Sequence, residues 1–319
     1  SSIYNTGSNS TINIVNDNTN TVNNNSVIKN TGKINITANN GSTTTIQDAI
    51  QNLDTANDTL GNIETTGNII FSDITKQNIE QNDSQVTVKN LSDSIYTKNE
   101  GVLAATTVSN STITTLQNQG NLNVLDLNTV KEGSIINAND GETIIGTLDA
   151  SRVNAGENTT STSISTVQNN STVNLSGGDN TITTVNSSTV ETSGNTTKTT
   201  ITTLGSSDEN TSPSTFTQNG GNSTIKNAIN SRVDINGGTA TITSASSSNL
   251  DLDGGQTTVN SGSDLTIAIN NATLNIQAAQ NQNLLSSDTI NADNTTTAAM
   301  IIGNGASVNL TGGNISGGT

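Results

Sequence analysis

Two stretches with alternating hydrophobic and polar positions align with each other along the chain. Residues 231–255 read SRVDINGGTATITSASSSNLDLDGG, and residues 171–194 read STVNLSGGDNTITTVNSSTVETSG. Each contains an alternating apolar pair, a Gly-Gly pair, a Thr/Ile alternation, a small-residue bend and a further apolar position. A period of two predicts half-buried strands, and agreement between copies is typical of a repeat architecture. Each stretch therefore predicts strand, corner, strand, corner and strand.

The last third of the chain adds a regular spacing. Steps of about seventeen residues connect Val233, Leu250, Ile267, Leu284 and Ile301, and a second series connects Ile242, Val259, Ile276 and Leu310 but fails at Asp293. The two series together place a strand and a corner in roughly every eight or nine residues, which suits a solenoid coil. The spacing is compatible with either two or three such units in one turn. The two copies lie sixty positions apart, which is no multiple of this step, so we expect insertions at corners. The predicted fold is an all-β, parallel, right-handed β-solenoid.

The pattern varies enough along the chain to predict three regions. Residues 1–66 form an N-terminal β-rich unit, in which pairs such as Ile34 and Ile36 alternate with polar residues. Residues 67–107 carry more charge and intermittent alternation, and we expect an irregular insertion or boundary there. Residues 108–319 form the main solenoid.

One segment departs from the strand pattern. In residues 45–61, TIQDAIQNLDTANDTLG, the apolar positions follow helical spacing, and they are Ile46, Ala49, Ile50, Leu53 and Leu60. Thr45 followed by Asp48 resembles an N-terminal cap, and Gly61 stands where a helix would end. The segment predicts a short amphipathic helix; the alternative is a strand region with accidental spacing.

The composition argues against an ordinary globular core. The chain is 29% hydrophobic and 1% aromatic, with no Trp, His or Cys and one Pro. Aromatic and long aliphatic side chains supply much of the buried area that offsets conformational entropy, so the chain is either disordered or built around narrow aliphatic columns. The alternating β-branched residues favour order. The absence of cysteine excludes a disulfide-stapled module.

The net charge of −16 restricts the classes of partner. Nucleic-acid binding requires clustered basic residues and usually aromatic stacking platforms, whereas the ten basic residues are scattered, so nucleic acid is excluded. No apolar run has the length of a membrane span. An acidic surface instead suits divalent cations or simple solubility.

Asp251 and Asp253 are the candidate metal ligands. They occupy alternate positions of one predicted strand, so both carboxylates project outward on the same side. Like charges this close repel, and a calcium ion bound by both would remove that repulsion. The alternative is a pair of solvated acids on the exterior. With no His and no basic residue grouped with several acids, we expect neither catalysis nor another cofactor.

Paired threonines suggest a further alternative. Thr181 and Thr183, and Thr241 and Thr243, flank single isoleucines, as Thr does on the flat faces of ice-binding solenoids. These pairs, with those at residues 43–45 and 295–297, recur irregularly along the chain. Ordinary outward-facing strand threonine is therefore the expected interpretation.

The runs STVNLSGG, RVDINGG and ASVNLTGG, in a cysteine-free Asn/Thr/Ser/Gly background, resemble secreted bacterial β-solenoid surface proteins. These are surface-layer proteins, autotransporter passengers and haemagglutinin-like adhesins. The resemblance is generic, covers most of the chain outside residues 45–107, and transfers no individual residue. It implies export, display at the cell surface, order that often depends on calcium, and adhesion or lattice formation.

These observations predict a non-enzymatic, extracellular structural protein that self-assembles as a cell-surface layer or fibre subunit. Its partner would be further copies of itself, with cell-surface polysaccharide as another candidate. Three alternatives stay open at this stage: an adhesin that binds a host or glycan ligand through residues 67–107 with Phe71 and Tyr96, an ice-binding solenoid, and a trimeric phage fibre or tailspike.

Overall fold

A computed structural model describes most of the 319-residue chain. The described residues are 2–7, 9–17, 21–22, 27–52, 59–117, 122–208, 210–269, 271–277, 283–288, 300–302, 307–311 and 314–317. They form an all-β parallel solenoid with about 14 turns. The chain divides into two compact units, Ser1–Thr160 and Ser161–Thr319.

Strands account for nearly all regular structure in the described ranges. Those of the first unit are β1 (Ser2–Asn5), β2 (Thr11–Asn16), β3 (Thr21–Val22), β4 (Val27–Asn30), β5 (Lys33–Ala38), β6 (Thr43–Ile46), β7 (Ile50–Gln51), β8 (Gly61–Thr75), β9 (Gln77–Ser92), β10 (Ile95–Lys98), β11 (Gly101–Ser109), β12 (Thr112–Thr115), β13 (Asn123–Lys131) and β14 (Ile135–Asp149), while β15 (Arg152–Gln168) contains the boundary. Those of the second unit are β16 (Thr172–Leu175), β17 (Asp179–Val185), β18 (Thr189–Thr192), β19 (Lys198–Gly205), β20 (Ser214–Gln218), β21 (Asn222–Ile229), β22 (Ser231–Ile235), β23 (Thr239–Ser246), β24 (Asn249–Leu252), β25 (Gln256–Val259), β26 (Gly262–Ser263), β27 (Thr266–Ile269), β28 (Thr273–Gln277), β29 (Asn283–Asp288), β30 (Met300–Ile302), β31 (Ser307–Thr311) and β32 (Asn314–Gly317).

A coil of the first unit contains three strand segments, each beside the equivalent segment of the next coil. Strands β8 and β9 show the register: Ile63 lies beside Ile79, Ile69 beside Val86, and Ile74 beside Leu91. All six of these side chains are buried. Since alternate residues of a strand point to opposite faces, each segment contributes one or two side chains to the interior and leaves polar neighbours outside.

The second unit confirms the step of 17 residues. Val233 pairs with Leu250, which pairs with Ile267, and the serines at equivalent corners are also 17 residues apart. The same buried column begins with Val173, Val190 and Phe216, so the two aligned stretches occupy equivalent positions in the solenoid. Their offset exceeds whole multiples of 17 because the coil between Val190 and Phe216 is longer, with largely exposed corner residues at 206–208 and 210–213.

Insertions also explain where the predicted spacing fails. Ile276 pairs directly with Leu310, so this coil is 34 residues long instead of 17. Asp293 lies outside the described residues. The position predicted for Ile301 is wrong by one residue, because Ile267 pairs with Met300 and Ala268 with Ile301. Leu284 lies in β29, which pairs with β32.

The predicted helix at 45–61 is not present in the described part of that segment. Thr45 and Ile46 end strand β6, the chain bends at Asp48, and Ile50 begins β7. Residues 53–58, including Leu53, lie outside the described residues. Ile46 and Ile50 are both buried, but they reach the interior from two strands separated by a corner. A corner of this length reproduces the four-residue spacing of a helix face.

Residues 67–107, which the sequence sets apart, continue the coil arrangement. They include the second part of β8, all of β9 and β10, and most of β11. Tyr96 pairs with Ile79 on one side and with Ile113 on the other, and Leu103 pairs with Val86 and Leu125. The charged residues of this segment mostly lie outside the coils, and Lys98 is the exception at 0% exposure.

Candidate functional site

The predicted calcium ligands lie on the exterior of the second unit. Asp251 belongs to β24 and pairs in register with Asp234 of β22, while Asp253 follows the end of β24. Arg232 lies beside them: its Nε donates to Asp234 Oδ1 at 2.7 Å and Oδ2 at 2.8 Å, and its Nη2 donates to Asp251 Oδ2 at 3.3 Å. The structure thus adds an acid, Asp234, and an arginine, Arg232, to the two acids identified in the sequence.

The electrostatics of this group reflect crowding of like charges. Partial burial, together with the charges of Asp253 and Asp234, raises the pKa of Asp251 against the opposing effect of Arg232. The hydrogen bond to Asp234 raises the pKa of Arg232. Among the described residues, no group of three acidic, histidine or cysteine side chains has the geometry to hold a metal ion. Calcium binding by Asp251 and Asp253 stays a prediction, and Arg232 already neutralises part of the charge of Asp251.

Exposed aliphatic side chains are confined to the first unit among the residues whose side chains are described. They are Val15, Ile70, Ile95, Leu116, Leu122, Ile135 and Ile144. In the second unit, every large hydrophobic side chain that the structure describes is at least partly covered. On an exterior that is otherwise mostly polar, exposed aliphatic side chains that align with one another are a candidate contact surface.

Two of these isoleucines align on one outer face. Ile95 of β10 pairs with Thr112 of β12, which pairs with Ile135 of β14, so the three side chains form a row across successive coils. Ile95 is 47% exposed and Ile135 is 37% exposed. A shallow groove beside Ile95 is lined in addition by Leu60, Lys76 and Asp93. We call the row Ile95, Thr112 and Ile135 the isoleucine stripe.

Threonines form a more regular row on an outer face of the second unit. Thr181, Thr200, Thr224, Thr241 and Thr258 pair successively in register on β17, β19, β21, β23 and β25. Corner insertions give them unequal spacing in the sequence, which is why the sequence analysis found the Thr pairs irregular. The pair at 43–45 belongs to β6 in the first unit, and the pair at 295–297 lies outside the described residues. We call these five residues the threonine row.

The ring-containing patch expected for an adhesin is absent at the predicted place. Phe71 is 2% exposed and Tyr96 is 0% exposed, because both occupy inward positions of their strands. Phe71 lies beside Val88, and Tyr96 lies between Ile79 and Ile113. These two rings fill the core instead of offering a platform to a ligand.

Comparisons with protein-family models, with curated proteins and with solved structures found no match. The described residues include no helix with the length and apolarity required to cross a membrane. The function is therefore inferred from the surfaces and interior groups of the chain itself.

A buried polar group near Tyr96 escaped the sequence analysis. The Tyr96 hydroxyl donates to Gln81 Oε1 at 2.8 Å, and Lys98 Nζ contacts Oδ1 of Asn123. All four residues are buried. The strand pattern of the sequence could have revealed it. Tyr96 and Lys98 occupy alternate positions of β10, so that when the tyrosine points inward the lysine two residues later points inward as well.

Proposed function

We propose that the chain is a non-enzymatic structural protein of the cell surface that self-associates as a layer or fibre subunit. The observation that supports this proposal is the isoleucine stripe, an aliphatic row on an otherwise polar exterior. Exposed apolar surface costs free energy in water, and removing it at a contact is favourable by about 25 cal/mol per Å² buried. A protein contact is the simplest way to cover it.

A second copy of the chain is the occupant that matches the stripe in spacing. Ile95 and Ile135 are two coils apart, and neighbouring strands of a sheet lie about 4.8 Å apart, so the two side chains recur at roughly 10 Å. Any other copy carries the same row at the same spacing. Two stripes related by a two-fold axis would pair isoleucine with isoleucine over the whole row and close as a dimer. Growth of such dimers into a layer or fibre requires a second contact, for which an unpaired strand edge is a template.

The net charge of −16 opposes association, because two like-charged chains repel at long range. Divalent cations bound to exterior acids such as Asp251 would reduce that repulsion, and salt would screen it. This is the physical reason for expecting calcium to assist assembly. The protein is then expected to stay dispersed until it reaches a medium with millimolar calcium, as outside a cell.

Assembly is tested with the full chain by analytical ultracentrifugation and electron microscopy, with calcium and after chelation. The wild type is expected to form ordered sheets or filaments, and the double variant Ile95→Thr, Ile135→Thr is expected to stay dispersed while keeping its circular dichroism spectrum. Ile70→Thr, which alters an exposed isoleucine outside the stripe, is the matched control and should assemble normally. Dispersed wild-type monomers under both conditions would contradict the proposal, and a detergent-resistant trimer would favour the phage-fibre alternative.

The threonine row supports ice binding as a second candidate function. Its members repeat once per coil at about 4.8 Å, which gives a regular array of hydroxyl and methyl groups. Thr183, Thr202 and Thr243 continue three of the coils into a Thr-x-Thr pattern, whereas exposed Lys226 interrupts it in the coil of Thr224. That interruption is the reason for placing this candidate second.

Thermal hysteresis and inhibition of ice recrystallisation would distinguish the two candidates. If the threonine row binds ice, both activities are present in the wild type and are lost in Thr224→Tyr, which places a ring in the middle of the row. Thr215→Tyr, on an outward position of β20 outside the row, should retain both activities. A wild type without thermal hysteresis rules this candidate out and leaves self-association untouched.

A further inference from the structure

Lys98 is a buried cation whose surroundings resemble a reaction site more than a structural ion pair. Its side chain has 0% exposure, and Nζ contacts the carboxamide Oδ1 of Asn123, which is itself buried. Among the described residues, no carboxylate forms a salt bridge with the Lys98 ammonium group. A buried ammonium group without a bound counter-ion is costly, so a neutral amine or a covalent product is favoured at this position.

The amide of Asn123 is held in place by the strands around it. Its Nδ2 donates to the Leu116 carbonyl at 3.2 Å, and its backbone pairs in register with Gly101. Gly141 packs closely against this backbone, since a Cβ there would lie 1.9 Å from the Asn123 backbone carbonyl oxygen. The hydrogen bond of Nδ2 to Leu116 orients the carboxamide so that its Oδ1 lies beside Lys98 Nζ.

Two carboxylates lie near the lysine. Asp140 is adjacent to Gly141, and its backbone N–H donates to Oγ1 of Thr115 at 3.3 Å; Thr115 is the register neighbour of Lys98. Glu100 follows Lys98 by two residues. Burial lowers the pKa of Lys98 to about 8, against the opposing charges of Asp140 and then Glu100. About a tenth of the amine is thus neutral and nucleophilic at pH 7, with a proton acceptor close by.

We propose that Lys98 and Asn123 form an intramolecular isopeptide bond with release of ammonia. Asp140 accepts a proton from the Lys98 ammonium group, and the neutral Nζ attacks Cγ of Asn123 while the C=O π electrons move to Oδ1. A proton then passes from Nζ to Nδ2 through the Asp140 carboxyl group. Reformation of the C=O bond breaks the Cγ–Nδ2 bond and expels ammonia, which takes the remaining proton from Asp140 and leaves as ammonium. One N–C bond forms, one breaks, and no oxidant or reductant is required.

The bond would join β10 to β13 across a loop of 25 residues. A covalent link of this kind restricts the unfolded chain and therefore raises the temperature of unfolding, as a disulfide does in a chain that has no cysteine. It also removes a buried charge, because the amide product is neutral. Both effects stabilise a protein exposed to mechanical load or to a harsh medium.

Mass spectrometry of the purified full chain tests the bond directly. The intact wild type is expected to be lighter than its sequence by one ammonia molecule. Trypsin should fail to cleave after Lys98 and should release residues 90–131 as one peptide with the same deficit. A wild type with the full sequence mass and normal cleavage after Lys98 would overturn the proposal.

Variants separate the bond from other sources of ammonia loss. Lys98→Met and Asn123→Ala should both show the full sequence mass and a lower unfolding temperature. Loss of ammonia that persists in Lys98→Met would indicate cyclisation of Asn123 on its own backbone and would also overturn the proposal. Asp140→Asn, which keeps the shape of the side chain, should retain the full mass, and complete bond formation in it would disprove the proton-transfer role given to Asp140.

Discussion

The backbone N–H of Ser231 donates a 3.1 Å hydrogen bond to Oγ of Ser248, which lies 17 residues ahead at the equivalent corner of the next coil. The same contact joins other corner residues, namely Gln77 to Ser94, Ser94 to Ser111, Ser111 to Ser134, and Ser171 to Ser188. The Ser248 hydroxyl in turn donates a hydrogen bond to the Ser246 carbonyl oxygen at 2.8 Å. Each buried hydroxyl is therefore satisfied as donor and acceptor, and the ladder aligns successive corners.

Replacing a ladder serine should cost more than its small size suggests. Ser248→Ala removes the acceptor of the Ser231 N–H and leaves a buried donor unpaired, so we expect the free energy of unfolding to fall by about 1–3 kcal/mol. Ser244→Ala, at a half-buried outward position of β23, is the matched control and should change it by less than about 0.5 kcal/mol. Urea denaturation followed by circular dichroism measures both. Equal effects would show that the ladder does not contribute.

The Gly-Gly corners allow close stacking of coils. Gly238 has a φ of 78°, and a Cβ there would lie 2.2 Å from the Gly221 carbonyl oxygen of the neighbouring coil. Gly41 has a similar φ of 70° but no atom within 4 Å of the same position. Substitutions at Gly41 and Gly238 can therefore separate the energetic cost of backbone strain from that of steric overlap.

Gly41→Ala should therefore cost only the strain of a left-handed alanine, about 1–2 kcal/mol. Gly238→Ala should cost clearly more, because the two coils must also move apart. Thermal unfolding of the two variants at equal concentration compares them. A similar loss of stability in both would mean that the corner relaxes without affecting the stacked coil.

The alternation of apolar residues was enough to predict the coils, because a period of two directly encodes which side chains enter a narrow core. The equivalence of Val173 and Val233 was predicted correctly, since both lie in one buried column. The presence of insertions at corners was also predicted, but their positions were not. Exposed corners constrain their sequence weakly, so nothing in the residues fixes how many are added.

The predicted helix shows where local pattern reading fails. Ile46 and Ile50 are four residues apart, and only pairing with the neighbouring coils distinguishes two short strands from one helical turn. Such pairing is non-local, so the spacing of residues within one short segment does not reveal it. The threonine row was missed for the same reason, because Thr200 and Thr224 become neighbours only after register is set.

The candidate sites were less predictable than the fold. Asp251 was identified from spacing, but its contact with Arg232 depends on pairing between β22 and β24. Lys98 was overlooked because lysine is rarely buried, although its position in β10 places it inside. The isoleucine stripe was likewise missed, because its residues lie on successive coils and become neighbours only through the strand pairing.

Asp251 gives a test that combines pH, charge and calcium. Its raised pKa means that folding favours the protonated form, so the charged carboxylate opposes folding at neutral pH and this penalty is relieved as the pH falls through the raised pKa. Asp251→Asn should thus slightly raise the unfolding temperature at pH 7 without calcium. Glu157→Gln, an exposed acid of the first unit, should have no such effect.

If Asp251 and Asp253 bind calcium, adding it should make the wild type unfold at a higher temperature than Asp251→Asn. A ligand that binds only the folded state stabilises it, so calcium should raise the unfolding temperature of the wild type and leave Asp251→Asn nearly unchanged. Differential scanning calorimetry at increasing calcium concentration gives the comparison. Equal shifts in the two proteins would assign any calcium effect to other acids.

Tyr96 should make the chain sensitive to alkali. Burial raises the pKa of its hydroxyl well above the ordinary value, whereas in the unfolded chain it ionises near pH 10. The folded state then binds one more proton than the unfolded state above that pH. Its contribution to stability is complete below about pH 10 and is lost progressively as the pH rises.

We expect Tyr96→Phe to be less stable than the wild type at neutral pH by about 1 kcal/mol, because Gln81 Oε1 loses its hydrogen bond. Its stability should also fall less steeply between about pH 10 and pH 11, because the titrating group is gone. Urea denaturation across this range, with Tyr4→Phe as the exposed control, measures the difference in slope. If the slopes of wild type and Tyr96→Phe coincide, the buried hydroxyl does not govern the alkaline transition.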